Sequence, residues 1–281
     1  MGAWFAKFLE THGYQVLISD KKRPETHKLT RNKFQNASKE EQITGISDVI
    51  LFATPTRLTR TLLGKIAAQA PRTTLLVEIS SIKEPVKATI RILSRKGTQV
   101  LSIHPMFGPG AKNLQGKTVI ITHKPRHSPH ADKFISTLRS AGTEIVFCNL
   151  ERHDRIVAAT LALPHLVNCA LIETLRRTGY SIDELKRLGG TTFKLQVLIA
   201  EAIYHESAEN EASILADTKS SEKLFRAYLR QADEIVHMIR EKRRPQLTSR
   251  LRNDLPYLRR DKSFKTAYGR FVTAVEASNH S

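Results

Sequence analysis

The stretch Val100-Leu101-Ser102-Ile103-His104-Pro105-Met106-Phe107-Gly108-Pro109-Gly110 decides the fold. Apolar residues run straight into a histidine, and the backbone beyond it is stiffened by two prolines and released by two glycines. That pattern predicts a buried strand ending under a rigid loop. Such carboxyl strand ends are where α/β proteins place their chemistry. A second strand end precedes it, where Thr74–Ile79 runs into Ser80-Ser81-Ile82-Lys83 and brings hydroxyls and an ammonium to the neighbouring edge.

Outward from these two segments, short β-branched runs alternate with helical patterns through the first 150 residues. This predicts a Rossmann-like, doubly wound parallel sheet. Strands are expected near Gln15–Ser19, Val49–Ala53, Leu75–Ile79, Val100–Ile103, Thr118–Thr122 and Glu144–Phe147, and helices near Ala3–His12, Arg57–Gln69, Glu84–Ser94 and His130–Ala141. From Glu151 onward the apolar spacing turns helical. Leu224, Phe225, Tyr228, Leu229, Ala232, Ile235, Val236 and Ile239 line one face. The chain thus divides into a dinucleotide-binding domain at 1–150 and an all-helical domain at 151–281. A helix near Arg152–Thr178 should bend at Pro164, which cannot donate back to Thr160.

A length of 281 residues suits two unequal domains. Two cysteines, Cys148 and Cys169, are too few for a disulfide framework and lack metal-ligand spacing, so free thiols in a reducing cytoplasm and no metal site are expected. The segment Met1–Glu10 has no secretory pattern, and Ala6 breaks the myristoylation motif. The apolar run Leu161–Ile172 is interrupted by Pro164, His165 and Asn168 and is short for a bilayer. A soluble protein without membrane contact is expected.

The net charge of +18 is concentrated. Residues 1–150 carry 23 Lys and Arg against 10 Asp and Glu, and residues 240–270 carry 11 against 3. A nucleic-acid surface is one reading. The basic residues are scattered without interleaved aromatics, however, and a dianionic substrate with a pyrophosphate cofactor asks for the same positive field.

The Ser80-Ser81-Ile82-Lys83 segment, the His104–Pro109 loop, Glu151-Arg152-His153-Asp154, Ala162-Leu163-Pro164-His165 and Thr192-Phe193-Lys194-Leu195 together resemble the prephenate dehydrogenase family, in the family's order and approximate spacing, from Met1 to about Leu229. The resemblance implies NAD-dependent oxidative decarboxylation of prephenate to 4-hydroxyphenylpyruvate in tyrosine biosynthesis. Action on arogenate and a non-catalytic degenerate paralogue are the alternatives. It implies His104 as the group that draws the proton from the substrate's C4 hydroxyl, with Ser81 sharing that hydroxyl or orienting His104. Ser81 also reads as a helix N-cap. His165 matches a family histidine that faces substrate. Lys194 stands where an arginine usually binds a carboxylate, and gives charge without the bidentate fork; it reads equally as a solvated helix residue. His153 and Asp154 read as mainly structural. A homodimer through the helical domain is also implied.

A dinucleotide fingerprint needs strand, G-x-G-x-x-G turn and helix. Gly2 stands where the last glycine belongs, while the first strand and first two glycines are missing from the sequence. A start at an internal methionine is favoured over degeneration, and NAD binding by the chain as written should be weak. Asp20 is expected on the adenosine ribose, favouring NAD over NADP, although Lys21-Lys22-Arg23 could hold a 2′-phosphate; a turn-forming role is the other reading. Thr54 and Pro55 are expected to wall the cofactor or to form a rigid turn.

Overall fold

A computed structural model describes residues 1–20, 44–205 and 207–279. The chain forms two compact units, Met1–Val157 and Ala158–Ser281.

The first unit is built on a five-stranded sheet in sequential order, β1 (Val49–Phe52), β2 (Leu75–Glu78), β3 (Gln99–Pro105), β4 (Thr118–His123) and β5 (Glu144–Phe147). β1, β2 and β3 are parallel, as are β4 and β5. β3 and β4 run antiparallel, which departs from the uniformly parallel sheet expected. The cause lies in the connection. A parallel return needs a crossover, usually a helix, whereas residues 106–117 between β3 and β4 contain no helix.

Alternation along the strands fills two cores. Leu75, Val77, Leu101, Ile103, Val119 and Ile121 pack on one face with Phe5, Phe8 and Leu9 of α1 (Gly2–Thr11) and Phe134, Ile135 and Leu138 of α4 (Pro129–Ser140). Leu76 and Val100 pack on the other with Leu63 and Ile66 of α2 (Thr56–Gln69) and Val86, Ile90 and Leu93 of α3 (Glu84–Arg95). Helices on both faces make the sheet doubly wound. The Ser128 hydroxyl caps α4 by accepting from the Ala131 N–H at 3.3 Å, and Pro129 follows it in the first turn.

The strand expected at Gln15–Ser19 is not formed. Only Ile18 makes a single bridge pairing, and Val16 packs against the first core. A strand needs a continuous neighbour to ladder with, and among the described residues none runs beside this segment.

The second unit is helical. A π-helical turn, Ala158–Ala162, is followed by α6 (Leu163–Arg176), α7 (Ile182–Leu188), α8 (Thr191–Tyr204), α9 (Ala208–Ala216), α10 (Lys219–Arg240), α11 (Arg244–Leu258), a 3-10 turn (Lys262–Thr266) and α12 (Ala267–Asn279). α5 (Leu150–Val157) closes the first unit. The perturbation expected at Pro164 takes the form of that π turn just before it. Pro164 lies in the first turn of α6, where the missing N–H is tolerated. The run Leu150–Arg176 is long and apolar enough to cross a membrane, with mean hydropathy 1.7. The core helix of a soluble protein meets the same criterion.

Candidate active site

β2 and β3 end side by side, with Glu78 paired to Ser102 in register. Glu78 interrupts an otherwise apolar strand, and both it and Lys83 are completely buried. The Lys83 ammonium donates to Glu78 Oε1 at 2.6 Å and to the Ile103 carbonyl at 2.7 Å. The second carboxylate oxygen accepts the Ser80 N–H at 2.9 Å, and Ser102 donates to the first. Burial pulls the Lys83 pKa down while the Glu78 carboxylate, and more weakly Asp154, holds it up. Removing one partner would strand a charge without water. This pair therefore clamps the β2 turn to the strand that carries His104.

His104 is 4% exposed. Its Nδ1 lies 2.9 Å from Nε2 of His153 on α5, and His153 Nδ1 lies 2.8 Å from Asp154 Oδ1. Asp154 Oδ1 also accepts the backbone N–H of Lys83 at 3.0 Å. Burial holds the His104 imidazole well below its ordinary value of 6.5, and the charges of Lys83 and His153 push the same way. Burial also lowers His153, against the opposing pull of its bond to Asp154. Both rings are therefore neutral near pH 7, and each has one N–H.

The bonding then dictates the tautomers. An ionised carboxylate only accepts, so His153 Nδ1 carries the hydrogen and its Nε2 is bare. That bare nitrogen takes the hydrogen of His104 Nδ1. His104 Nε2 is left unprotonated, a neutral base whose ring is fixed from behind. The same logic orients the histidine of hydrolytic triads. His153 and Asp154, read from sequence as structural, are thus positioning partners of His104. The signal was the adjacent His-Asp pair; its meaning needed the fold to bring residue 153 to residue 104.

The other predicted residues are less concentrated. Ser81 is half-buried and does not cap α3, whose N-cap is Lys83, so the N-cap reading is corrected. The helix starts at Glu84, two residues later than a Ser81 cap requires, while the Lys83 side chain is bonded into the sheet by Glu78. In the second unit, His165 Nδ1 is bonded to Glu211 Oε2, both side chains being largely buried. Asn168, one turn along α6, accepts from Gln196 of α8 at 2.6 Å. Lys194 lies on α8 and is exposed.

For a nucleotide, the chain offers the start of α1. Gly2 comes so close to the end of β1 that an added Cβ would lie 3.3 Å from Ala53 Cβ. The first turn has no side-chain cap and no acidic residue, a favourable end for an anion. The Thr54 hydroxyl is 2.8 Å from that of Thr59, which itself donates to the Thr54 carbonyl at 3.0 Å. The Thr54 hydroxyl is thus paired with the first turns of α2. Asp20 is exposed at the end of a described segment, and Lys21, Lys22 and Arg23 lie outside the described residues. These groups fit the phosphates and flank of a dinucleotide; a Gly-x-Gly turn is not among the described residues. No cluster of three His, Cys, Asp or Glu side chains suited to a metal occurs among the described residues.

Residues 5–146 match the model of the prephenate dehydrogenase nucleotide-binding domain, and residues 149–253 match that of the prephenate dehydrogenase dimerization domain. A probable arogenate/prephenate dehydrogenase of Methanocaldococcus jannaschii is 25% identical over 87% of this chain and 55% of its own length. The T-protein of Enterobacter agglomerans is 22% identical over 86% of this chain and 60% of its own. The chain therefore spans little more than half the length of these curated relatives. Among solved structures, Synechocystis arogenate dehydrogenase superposes with a TM-score of 0.67 at 20% identity, covering 93% of this chain and 95% of that one. Prephenate dehydrogenase of A. aeolicus, solved with hydroxyphenyl propionate and NAD+, gives 0.65 at 17% identity, covering 93% and 95%. With family models matching both halves, this chain belongs to the prephenate dehydrogenase family.

Proposed function

We propose that the chain performs oxidative decarboxylation of a 4-hydroxycyclohexadienyl carboxylate in tyrosine biosynthesis, prephenate to 4-hydroxyphenylpyruvate or arogenate to tyrosine. The observation that carries this reading is the buried His104–His153–Asp154 chain, which leaves His104 Nε2 as a bare, neutral acceptor. The reaction asks little else of a base. Hydride leaves C4 as the C4 hydroxyl gives up its proton, and loss of CO2 with aromatisation makes the step irreversible. His104 takes that proton, and His153 and Asp154 hold the ring and offset the charge it gains. Ser81, at the adjoining strand end, shares the hydroxyl. His165 and Lys194 meet the substrate carboxylates, Lys194 by charge alone.

A bound nicotinamide supplies the hydride acceptor. Gly2, Asp20, Thr54 and Pro55 are the residues proposed to hold the nucleotide, with NAD preferred by the Asp20 carboxylate; relatives in Saccharomyces cerevisiae and Schizosaccharomyces pombe are named for NADP. The match to a dimerization domain and the uncovered apolar face of α10 support a homodimer, and a cytoplasmic location follows from the metabolic role.

The test is His104→Asn with prephenate or arogenate, following NADH absorbance. A loss of about 10²–10⁴-fold in kcat with little change in KM is expected. Turnover near that of the unaltered protein would refute the role.

A further inference from the structure

The pair at His165 contains an acid that the proposed chemistry does not use. Glu211, in the first turn of α9, gives Oε2 to His165 Nδ1, while its other oxygen, Oε1, is buried and has no hydrogen-bond partner among the described residues. A buried carboxylate oxygen left bare is costly, and such an atom calls for a donor from outside the protein. Lys186, a cation of the same unit, is paired with Glu201 at 2.5 Å. Lys194 on α8 is exposed. α9 packs on both α6 and the π turn, so Glu211 is held against the helix that presents His165.

The two substrates of the proposed reaction differ in one place. Prephenate ends in a keto acid, which offers Oε1 only acceptors; arogenate ends in an amino acid, whose ammonium offers three donors and a compensating charge. We propose that Glu211, oriented by His165, is the specificity-determining residue that selects the ammonium-bearing substrate. The proposal rests on the reading that His165 faces the substrate side chain. The side-chain carboxylate is common to both substrates and is repelled by Glu211 in each, so only the ammonium of arogenate offsets that repulsion and the keto acid bears it in full.

Binding tests this without turnover. L-Tyrosine and 4-hydroxyphenylpyruvate differ only by amine against ketone, and calorimetric titration of each into the whole chain gives their affinities. The unaltered protein should bind tyrosine at least tenfold more tightly. Glu211→Gln keeps the shape and removes the charge. It should weaken tyrosine by roughly 30-fold, the scale of losing one partner of a buried charged hydrogen bond, and leave 4-hydroxyphenylpyruvate unchanged or tighter. Equal affinities in the unaltered protein, or an unchanged ratio in Glu211→Gln, overturn the selection role and leave the reaction assignment standing. If His165→Asn alters neither affinity, the placement of His165 fails and the proposal fails with it.

Discussion

The two units solve the problem of burial in opposite ways. In the first, sheet and helices enclose both apolar cores and a polar one, so that Glu78, Lys83, His104, His153 and Asp154 are buried together with specific partners. In the second, the buried apolar residues among the described ones are fewer, Ala158, Ala162, Val197, Ala200, Ile203, Ile214 and Val275, while Leu229, Val236 and Ile239 of α10 remain 59%, 60% and 60% exposed. An amphipathic helix whose apolar face meets water is incomplete by itself. The contrast teaches a division of labour: the first unit locks the His104 ring in place, and the second leaves an apolar face uncovered, the face that the proposed homodimer would bury.

The strongest way to break this contrast is to unlock the first unit. Lys83→Met leaves Glu78 buried without its cation, and a loss of about 3–5 kcal/mol in unfolding free energy is expected, read by urea denaturation. A loss under about 1 kcal/mol would mean that the clamp is ornamental. The matching change in the second unit is Val236→Asp with Ile239→Asp. Burying each side chain in an interface is worth about 1.5–3 kcal/mol, so sedimentation should find the proposed dimer for the unaltered protein and a monomer for the double variant, with the first unit's unfolding midpoint unmoved.

Asp154→Asn is subtler. The amide can donate to His153 and reverse its tautomer, so kcat should fall roughly 10- to 100-fold with KM retained; an unchanged kcat would reduce Asp154 to a structural role.

The smallest effect is in pH. His104, His153 and His123 all have pKa values lowered by burial from 6.5. The unfolded chain therefore binds protons that the folded one refuses, and stability falls as pH drops below about 6.5 towards the depressed values. Each unit of depression is worth about 1.4 kcal/mol. Denaturation at pH 7.5 and 5.5 should show the loss, and His104→Asn should flatten it.

Much of the first unit was legible because its signals are local. Strand runs such as Leu75–Glu78 and punctuation such as Pro105, Gly108 and Pro109 act over a few residues. β4 defeated the parallel expectation because its direction is set by the connection before it, not by its own Thr118–His123 pattern. Gln15–Ser19 failed for the reverse reason, having strand composition but no continuous neighbour among the described residues. In the candidate site, His104 stood out by its loop, but its partner is 49 positions away, and an adjacent His153-Asp154 at a helix start looks the same whether or not a second imidazole is near. Glu78 carried a visible sign, one acid in an apolar strand followed five residues later by a lysine. Glu211 carried none, since its surroundings in sequence are those of any solvated helix.

The central claim is that His104 is held as a neutral base with Nε2 bare. Nitrogen-15 NMR of the imidazoles, with His104→Asn to assign the signal, reads protonation and tautomer directly. At pH 7 the account predicts a neutral His104 ring with its hydrogen on Nδ1 and an unprotonated Nε2. A ring protonated on both nitrogens, or a neutral ring with its hydrogen on Nε2, would contradict it.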